Sequence, residues 1–118
     1  MSKTKIISMI GSLLFSIASF AQTGKKTETL KVSGNCDMCK SNIESALKKK
    51  DGVLSKSWNK DTQILSVTYD TSKITIQKIG QKIADAGYDN QYATAKEETY
   101  NKLMKCCQYD RPKKQIKQ

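Results

Sequence analysis

Two spacings of apolar residues alternate along this chain, and their order limits the folds that it can adopt. Strand-like segments place apolar residues at every second position, whereas helix-like segments repeat them every three or four positions. The segments follow the order strand, helix, strand, strand, helix, strand, at residues 29–32, 38–49, 53–59, 63–69, 76–86 and 89–93. This order predicts an α+β protein, a ferredoxin-like βαββαβ sandwich with a four-stranded antiparallel sheet and two helices on one face.

Individual residues sharpen this prediction. Gly52 and Gly87 follow the two helical segments and are expected to end them in the left-handed conformation. Trp58 is expected in the core, on the same face of its strand as Leu54. Lys56 lies between them, which indicates an edge strand guarded by charge.

The first 21 residues have the organisation of a secretory signal peptide. Lys3 and Lys5 precede an uncharged, largely apolar run over residues 6–20, and Ala21 is followed by polar sequence. The run is shorter than the roughly 20 residues that a membrane-spanning helix needs. We therefore expect cleavage after Ala21, a periplasmic or secreted protein, and no stable membrane insertion after cleavage. An uncleaved membrane anchor is the alternative.

The basic composition does not by itself indicate a nucleic-acid partner. The chain has 21 lysines and arginines and 11 acidic residues, and removing residues 1–21 lowers the formal net charge from +10 to +8. The lysines are scattered and are not interleaved with stacking aromatics, and export also argues against nucleic acid. Histidine is absent, and no carboxylate pair accompanies a nucleophile, so an enzyme is not expected.

Cys36 and Cys39 lie at the junction between the first predicted strand and the first predicted helix. Thiolates favour soft or borderline ions such as Cu(I) and Zn(II), and without histidine the common Cys/His zinc sites cannot form. A helix N-terminus stabilises an anionic thiolate through its backbone N–H groups. The same spacing also occurs in thiol redox centres and structural disulfides, so both chemistries remain open at this point.

Four motifs together resemble the heavy-metal-associated (HMA) domain family, which includes copper chaperones, mercuric-ion binding proteins and modules of metal-pumping ATPases. They are Gly34-Asn35-Cys36-Asp37-Met38-Cys39, Gly52-Val53, Val67-Thr68-Tyr69-Asp70 and Ala84-Asp85-Ala86-Gly87-Tyr88. The resemblance covers residues 27–93. It implies that Cys36 and Cys39 hold one soft ion, Cu(I), Hg(II), Zn(II) or Cd(II), in an exposed loop. It also implies transfer of that ion, without catalysis, to a metal transporter or efflux partner.

The chain departs from this family at one position of the first motif. Family members usually carry a methionine two residues before the first cysteine, where this chain has Gly34. The resemblance gives that methionine the role of a packing anchor for the loop. Met38 is expected to be buried or exposed instead of ligating an ion. Tyr88 is expected on a loop that approaches the loop containing Cys36 and Cys39.

Residues 95–118 extend beyond the family pattern. Apolar residues recur at helical spacing at Tyr100, Leu103, Met104 and Cys107, which predicts a third helix. Such a helix of about 12 residues rises about 18 Å, close to the length of a strand, and would return the Cys106-Cys107 pair to Cys36 and Cys39. We expect at least one of the pair to be a further metal ligand or a disulfide partner. The alternative is that the pair lies elsewhere. A basic tail, expected to be disordered, begins at Tyr109.

The sequence thus predicts a signal peptide at 1–21, a metal-binding domain at 22–94 and a C-terminal helix with a basic tail at 95–118. The predicted function is that of an exported, monomeric protein that binds and transfers a soft heavy-metal ion. A periplasmic thiol-disulfide exchange protein is the alternative.

Overall fold

A computed structural model describes residues 24–111 of the protein, and within them three strands form one antiparallel sheet. The strands are β1 (Lys25–Lys31), β2 (Val53–Asn59) and β3 (Ile64–Asp70), in the order β1-β3-β2. The helices are α1 (Asp37–Ser45), α2 (Ile76–Asp85) and the short α3 (Glu97–Asn101), with 3-10 turns at Lys49–Asp51 and Lys105–Cys107. The apolar sides of α1, α2 and β3 belong to one core cluster.

The clearest sequence patterns are confirmed in α2 and β3. Leu65, Val67 and Tyr69 alternate along β3 and are all buried. Helix α2 begins at Thr75, whose side chain accepts a hydrogen bond from the Lys78 N–H at 3.1 Å. Gly52 and Gly87 have φ values of +109° and +110°, so both take the left-handed conformation that the sequence predicted. Only Gly87 directly follows its helix, because α1 ends at Ser45 instead of residue 49 and Gly52 ends the 3-10 turn Lys49–Asp51.

Strand β2 lies at an edge of the sheet, as Lys56 indicated, but its register contains a bulge. The pairing with β3 shifts between Val53 and Ser55, so Leu54 is the extra residue. Leu54 is therefore exposed while Val53 and Trp58 are buried. The prediction that Leu54 and Trp58 share a face is wrong because the bulge resets the alternation.

The fourth predicted strand, over residues 89–93, is replaced by two isolated bridges that join Asn90 to Val32 and to Ala93. The Asn90 side chain explains why this segment does not form a strand. Its Oδ1 accepts hydrogen bonds from the N–H groups of Tyr92 and Ala93 at 3.0 and 3.2 Å, and this local turn competes with a sheet ladder. The described sheet therefore has three strands instead of four, with this segment beside β1.

The third predicted helix is interrupted. Helix α3 ends at Asn101, and Met104 is extended and 57% exposed. Five residues are too few for a helix that is stable on its own, so tertiary contacts decide the path of this segment. Tyr100 packs edge-on against Tyr109, and Leu103 contacts the surface over Gly87. The expectation of one continuous helix is wrong for this reason.

No helix within residues 24–111 combines the length and apolar character needed to cross a membrane. The predicted signal peptide over residues 1–21 and the last part of the predicted tail, residues 112–118, lie outside the described residues.

Trp58 fills the space that a side chain at position 34 would occupy. A Cβ atom on Gly34 would lie 2.7 Å from Trp58 Cζ2 and 3.3 Å from the Cys39 Cβ. The Trp58 indole N–H donates to the Val32 carbonyl at 3.0 Å, and the Gln63 side chain donates to the Gly34 carbonyl. The loop before α1 is thus anchored by a tryptophan from β2 instead of by a methionine of its own.

Substitution of Gly34 by alanine is expected to lower the free energy of unfolding by about 1–3 kcal/mol, because the buried Trp58 ring has no room to move away. Urea unfolding of the reduced protein, followed by far-UV circular dichroism, measures this change. In a Trp58→Leu background the cost of Gly34→Ala should be smaller. Additive costs in the double variant would contradict the proposed contact.

Candidate metal centre

Cys36 and Cys39 are positioned by the first turn of α1. Cys36 is the N-cap, with extended backbone at φ −155° and ψ 173°, and Cys39 lies one turn along the helix. Their Sγ atoms are 3.3 Å apart. Cys39 is fully buried, whereas Cys36 is half-buried. One thiol of the pair therefore faces the outside and the other lies in the core.

Asn35 holds the buried thiol in place. The Asn35 N–H donates to Cys39 Sγ at 3.4 Å, and the Cys39 thiol donates to Asn35 Oδ1 at 3.2 Å. We use the name metal loop for residues 34–39. Its inner thiol is fixed by the loop itself, and its outer thiol is free to meet other groups.

The structure brings the second pair of cysteines to the outer thiol. Cys107 Sγ lies 3.8 Å from Cys36 Sγ, and Cys106 Sγ lies 4.0 Å from Cys107 Sγ. The three Sγ atoms of Cys36, Cys106 and Cys107 all lie within 4.8 Å of one another. The Cys36 thiol also donates to the Cys106 carbonyl at 3.2 Å. All four cysteines are free thiols in this structure.

Tyr109 holds this second pair close to the metal loop. Its ring stacks on that of Tyr88 with centroids 5.8 Å apart. Its hydroxyl donates to the Gly87 carbonyl at 2.7 Å and accepts from the Asp89 N–H at 2.9 Å. We use the name C-terminal arm for residues 97–111, which includes α3, the Cys106-Cys107 pair and this tyrosine.

Arg111 forms a second anchor of the C-terminal arm. Its Nε and Nη2 atoms donate to the two carboxylate oxygens of Asp89, both at 2.8 Å, and Nη2 also donates to the Ala95 carbonyl at 2.8 Å. The hydrogen bond to Asp89 raises the pKa of Arg111. The prediction of a disordered tail from Tyr109 onward is therefore wrong for residues 109–111. Both anchors contact residues that are distant in the sequence, and periodicity carries no signal for such contacts.

The thiols of Cys36 and Cys107, whose sulfurs lie 3.8 Å apart, have opposite pKa shifts. Burial alone would raise the pKa of Cys36, but hydrogen bonds from the Cys39 N–H, from the Cys39 and Cys107 thiols and from the Met38 N–H lower it to about 7. Burial raises the pKa of Cys107 to about 12, and the neighbouring thiols add to this in spite of the Tyr88 hydroxyl. Cys36 is thus ionised far more readily than Cys107.

Asn42 is a polar residue of this site that the sequence reasoning missed. Its Nδ2 donates to the Tyr88 hydroxyl at 2.9 Å and to Cys107 Sγ at 3.8 Å. Asn42 lies three residues after Cys39 on α1, which places it on the same side of the helix. That spacing was the available signal.

Asp37 and Met38, the two residues between the cysteines of the metal loop, are both exposed. Met38 is 42% exposed. Asp37 is exposed and pairs with Lys60 at 3.5 Å. Tyr88 is buried and lies beside the cluster, as expected for the loop that approaches the metal loop.

Comparison with known proteins shows a relationship over the first two thirds of the described chain. Residues 29–89 match the heavy-metal-associated domain. The copper chaperone CopZ of Staphylococcus aureus is 44% identical over 63 residues, which cover 52% of this chain and 93% of CopZ. The match ends before the C-terminal arm begins.

Solved structures agree with this relationship. A structure of the CopZ metallochaperone is 42% identical, with a TM-score of 0.52, and the alignment covers 55% of this chain and 98% of CopZ. Oxidized MerP from Ralstonia metallidurans CH34 is 34% identical, with a TM-score of 0.53, and covers 57% of this chain and 94% of MerP. These neighbours confirm the α+β ferredoxin-like fold. The chain belongs to the heavy-metal-associated domain family, a family of non-enzymatic metal-binding domains, and it has a cysteine cluster of the kind that holds a metal ion.

Proposed function

We propose that the protein is an exported metallochaperone that binds one soft ion between Cys36 and Cys39 and passes it to a metal transporter or efflux partner. The observation that carries the proposal is the pair of Sγ atoms 3.3 Å apart at the N-terminus of α1. Two thiolates at a helix N-terminus suit a soft cation, because the backbone N–H groups offset the negative charge of the complex. The similarity to CopZ, a copper chaperone, supports Cu(I) as the first cargo to test.

The unequal burial of the two thiols suits transfer of the ion. Cys39 is fixed in the core by Asn35, so it retains the ion while the outer ligand exchanges. Cys36 is accessible and readily ionised, so a thiolate of the partner approaches the ion from its side. Two-coordinate binding leaves room for that third sulfur. Transfer then proceeds by exchange of one thiolate for another.

The variant Cys36→Ser/Cys39→Ser is expected to lose Cu(I) affinity by more than about 100-fold, which is beyond the usual effect of a residue that only supports a ligand. Competition with a Cu(I) chelator under oxygen-free, reducing conditions measures the affinity. Met38→Leu is the matched control, because Met38 lies between the two cysteines and is exposed. It should bind as the wild type does.

Two results would contradict the proposal. Retention of Cu(I) in the double variant would exclude this pair as the site. If no soft ion binds the wild type while Cys36 and Cys39 exchange readily with glutathione, the thiol-disulfide exchange function would replace it.

Alkylation of the metal-free protein should distinguish the Cys36 thiol from the Cys107 thiol. With a pKa of about 7, Cys36 is about half ionised at neutral pH, so its reaction rate should fall below pH 7 and level off about one unit above it. Cys107 is buried and has a raised pKa, so it should react much more slowly than Cys36. Short pulses of iodoacetamide followed by peptide mapping measure each rate. Equal rates for Cys36 and Cys107 would contradict the described arrangement.

Export is the part of the proposal that depends on residues 1–21. The full chain, expressed with a C-terminal tag, is expected to be recovered outside the cytoplasm with Gln22 as its first residue. N-terminal sequencing of the fractionated protein measures this. Ala21→Leu should slow cleavage, because the site requires small residues. An intact N-terminus on protein recovered from the cytoplasm would contradict export.

A further inference from the structure

We propose that Cys36, Cys106 and Cys107 form a second thiolate site, which takes soft or borderline ions of higher coordination number such as Cd(II) and Zn(II) and shares Cys36 with the Cys36/Cys39 pair. The proposal rests on the proposed function, because both sites use the Cys36 thiol. It extends that function to residues of the C-terminal arm, which lie outside the span that matches the family.

The spacing of the three sulfurs fits a single ion. A metal–sulfur bond of about 2.3 Å in a tetrahedral site places neighbouring sulfurs about 3.8 Å apart. Cys36 and Cys107 have this separation already, at 3.8 Å, and Cys106 and Cys107 are 4.0 Å apart. The third separation is within 4.8 Å. Small side-chain movements are therefore enough to close the site.

The arm holds these sulfurs ready for binding. Tyr109 makes two hydrogen bonds to residues 87–95, and Arg111 makes three. Asn42 contacts Cys107 Sγ, as a group that orients a metal ligand does. Such preorganisation raises affinity, because ordering mobile side chains on binding costs conformational entropy.

Core packing alone does not explain why both Cys106 and Cys107 are cysteines. Cys107 is fully buried and could serve as a small apolar residue, but Cys106 is exposed. The Cys106 sulfur nevertheless lies against Cys107. An exposed third thiolate leaves the fourth position of a tetrahedral ion open to water or to a partner's sulfur. As each sulfur–metal bond forms, the thiol concerned releases its proton to solvent.

Single cysteine substitutions affect the Cys36/Cys39 site and the three-cysteine site differently, and Cd(II) binding measures the difference. In the following, the trio means Cys36, Cys106 and Cys107. Cys39→Ser leaves the trio intact and should retain Cd(II) binding, whereas Cys36→Ser should lose it. Cys106→Ser should lower the Cd(II) affinity by about 10-fold or more and reduce the number of sulfur ligands from three to two. Because Cys106 is exposed, this substitution leaves the core unchanged.

Oxygen-free titration with Cd(II) as the only added ligand, followed by its ultraviolet thiolate charge-transfer band, measures affinity. X-ray absorption at one equivalent of Cd(II) counts the sulfur ligands. Arg111→Ala is the matched control for the arm, since it removes an anchor and no sulfur. It should weaken Cd(II) binding while leaving the sulfur count at saturation unchanged.

The second site is excluded if Cys39→Ser loses Cd(II) as completely as Cys36→Ser does, or if Cys106→Ser/Cys107→Ser binds Cd(II) with unchanged affinity and sulfur count. Either result leaves the proposed function intact as long as Cu(I) binding still depends on Cys36 and Cys39. Loss of Cu(I) dependence on those two residues is the separate result that would remove the proposed function.

Discussion

Burial of the Trp58 side chain is the interaction on which the metal centre depends. Its indole N–H binds the Val32 carbonyl, its backbone N–H binds the Glu44 carboxylate of α1 at 2.8 Å, and its ring covers Gly34. One residue of β2 therefore ties the end of β1 to the first helix and fixes the loop between them. Because both cysteines of the loop lie within five residues of Gly34, their positions follow from this packing.

Asp89 is the corresponding junction for the C-terminal arm. Its carbonyl accepts from the Ser33 N–H at 2.9 Å, next to the metal loop, while its carboxylate accepts from Ala95 and Arg111. The residue where the family match ends is thus where the arm is attached. A short extension with no long helix or strand of its own is ordered because it docks on the domain at several points.

The sequence was sufficient where a local pattern and the final environment agree. The alternation in β3, the helical repeat in α2, the glycine after α2 and the burial of Trp58 were all predictable, because each depends on burial of one face or on a positive φ. The bulge at Leu54 and the turn at Asn90 were not, since a single inserted residue or a side-chain hydrogen bond overrides the alternation.

The candidate site was predictable to a smaller extent. The spacing of Cys36 and Cys39 and the start of a helix indicated the metal loop directly. We expected Cys106 and Cys107 to return to that loop on one continuous helix, but the helix ends at Asn101. The path actually depends on contacts of Tyr109 with residues distant in the sequence, and periodicity carries no information about such contacts.

Contact between Leu103 and Gly87 has a consequence for how such chains diverge. A Cβ atom at position 87 would lie 2.9 Å from Leu103 Cδ2, so a side chain there would force the Leu103 side chain to shift. Gly87 is therefore constrained twice, by this contact and by its own positive φ. Descendants that lose Leu103 lose one of the two reasons for keeping the glycine, and only its left-handed backbone then constrains the position.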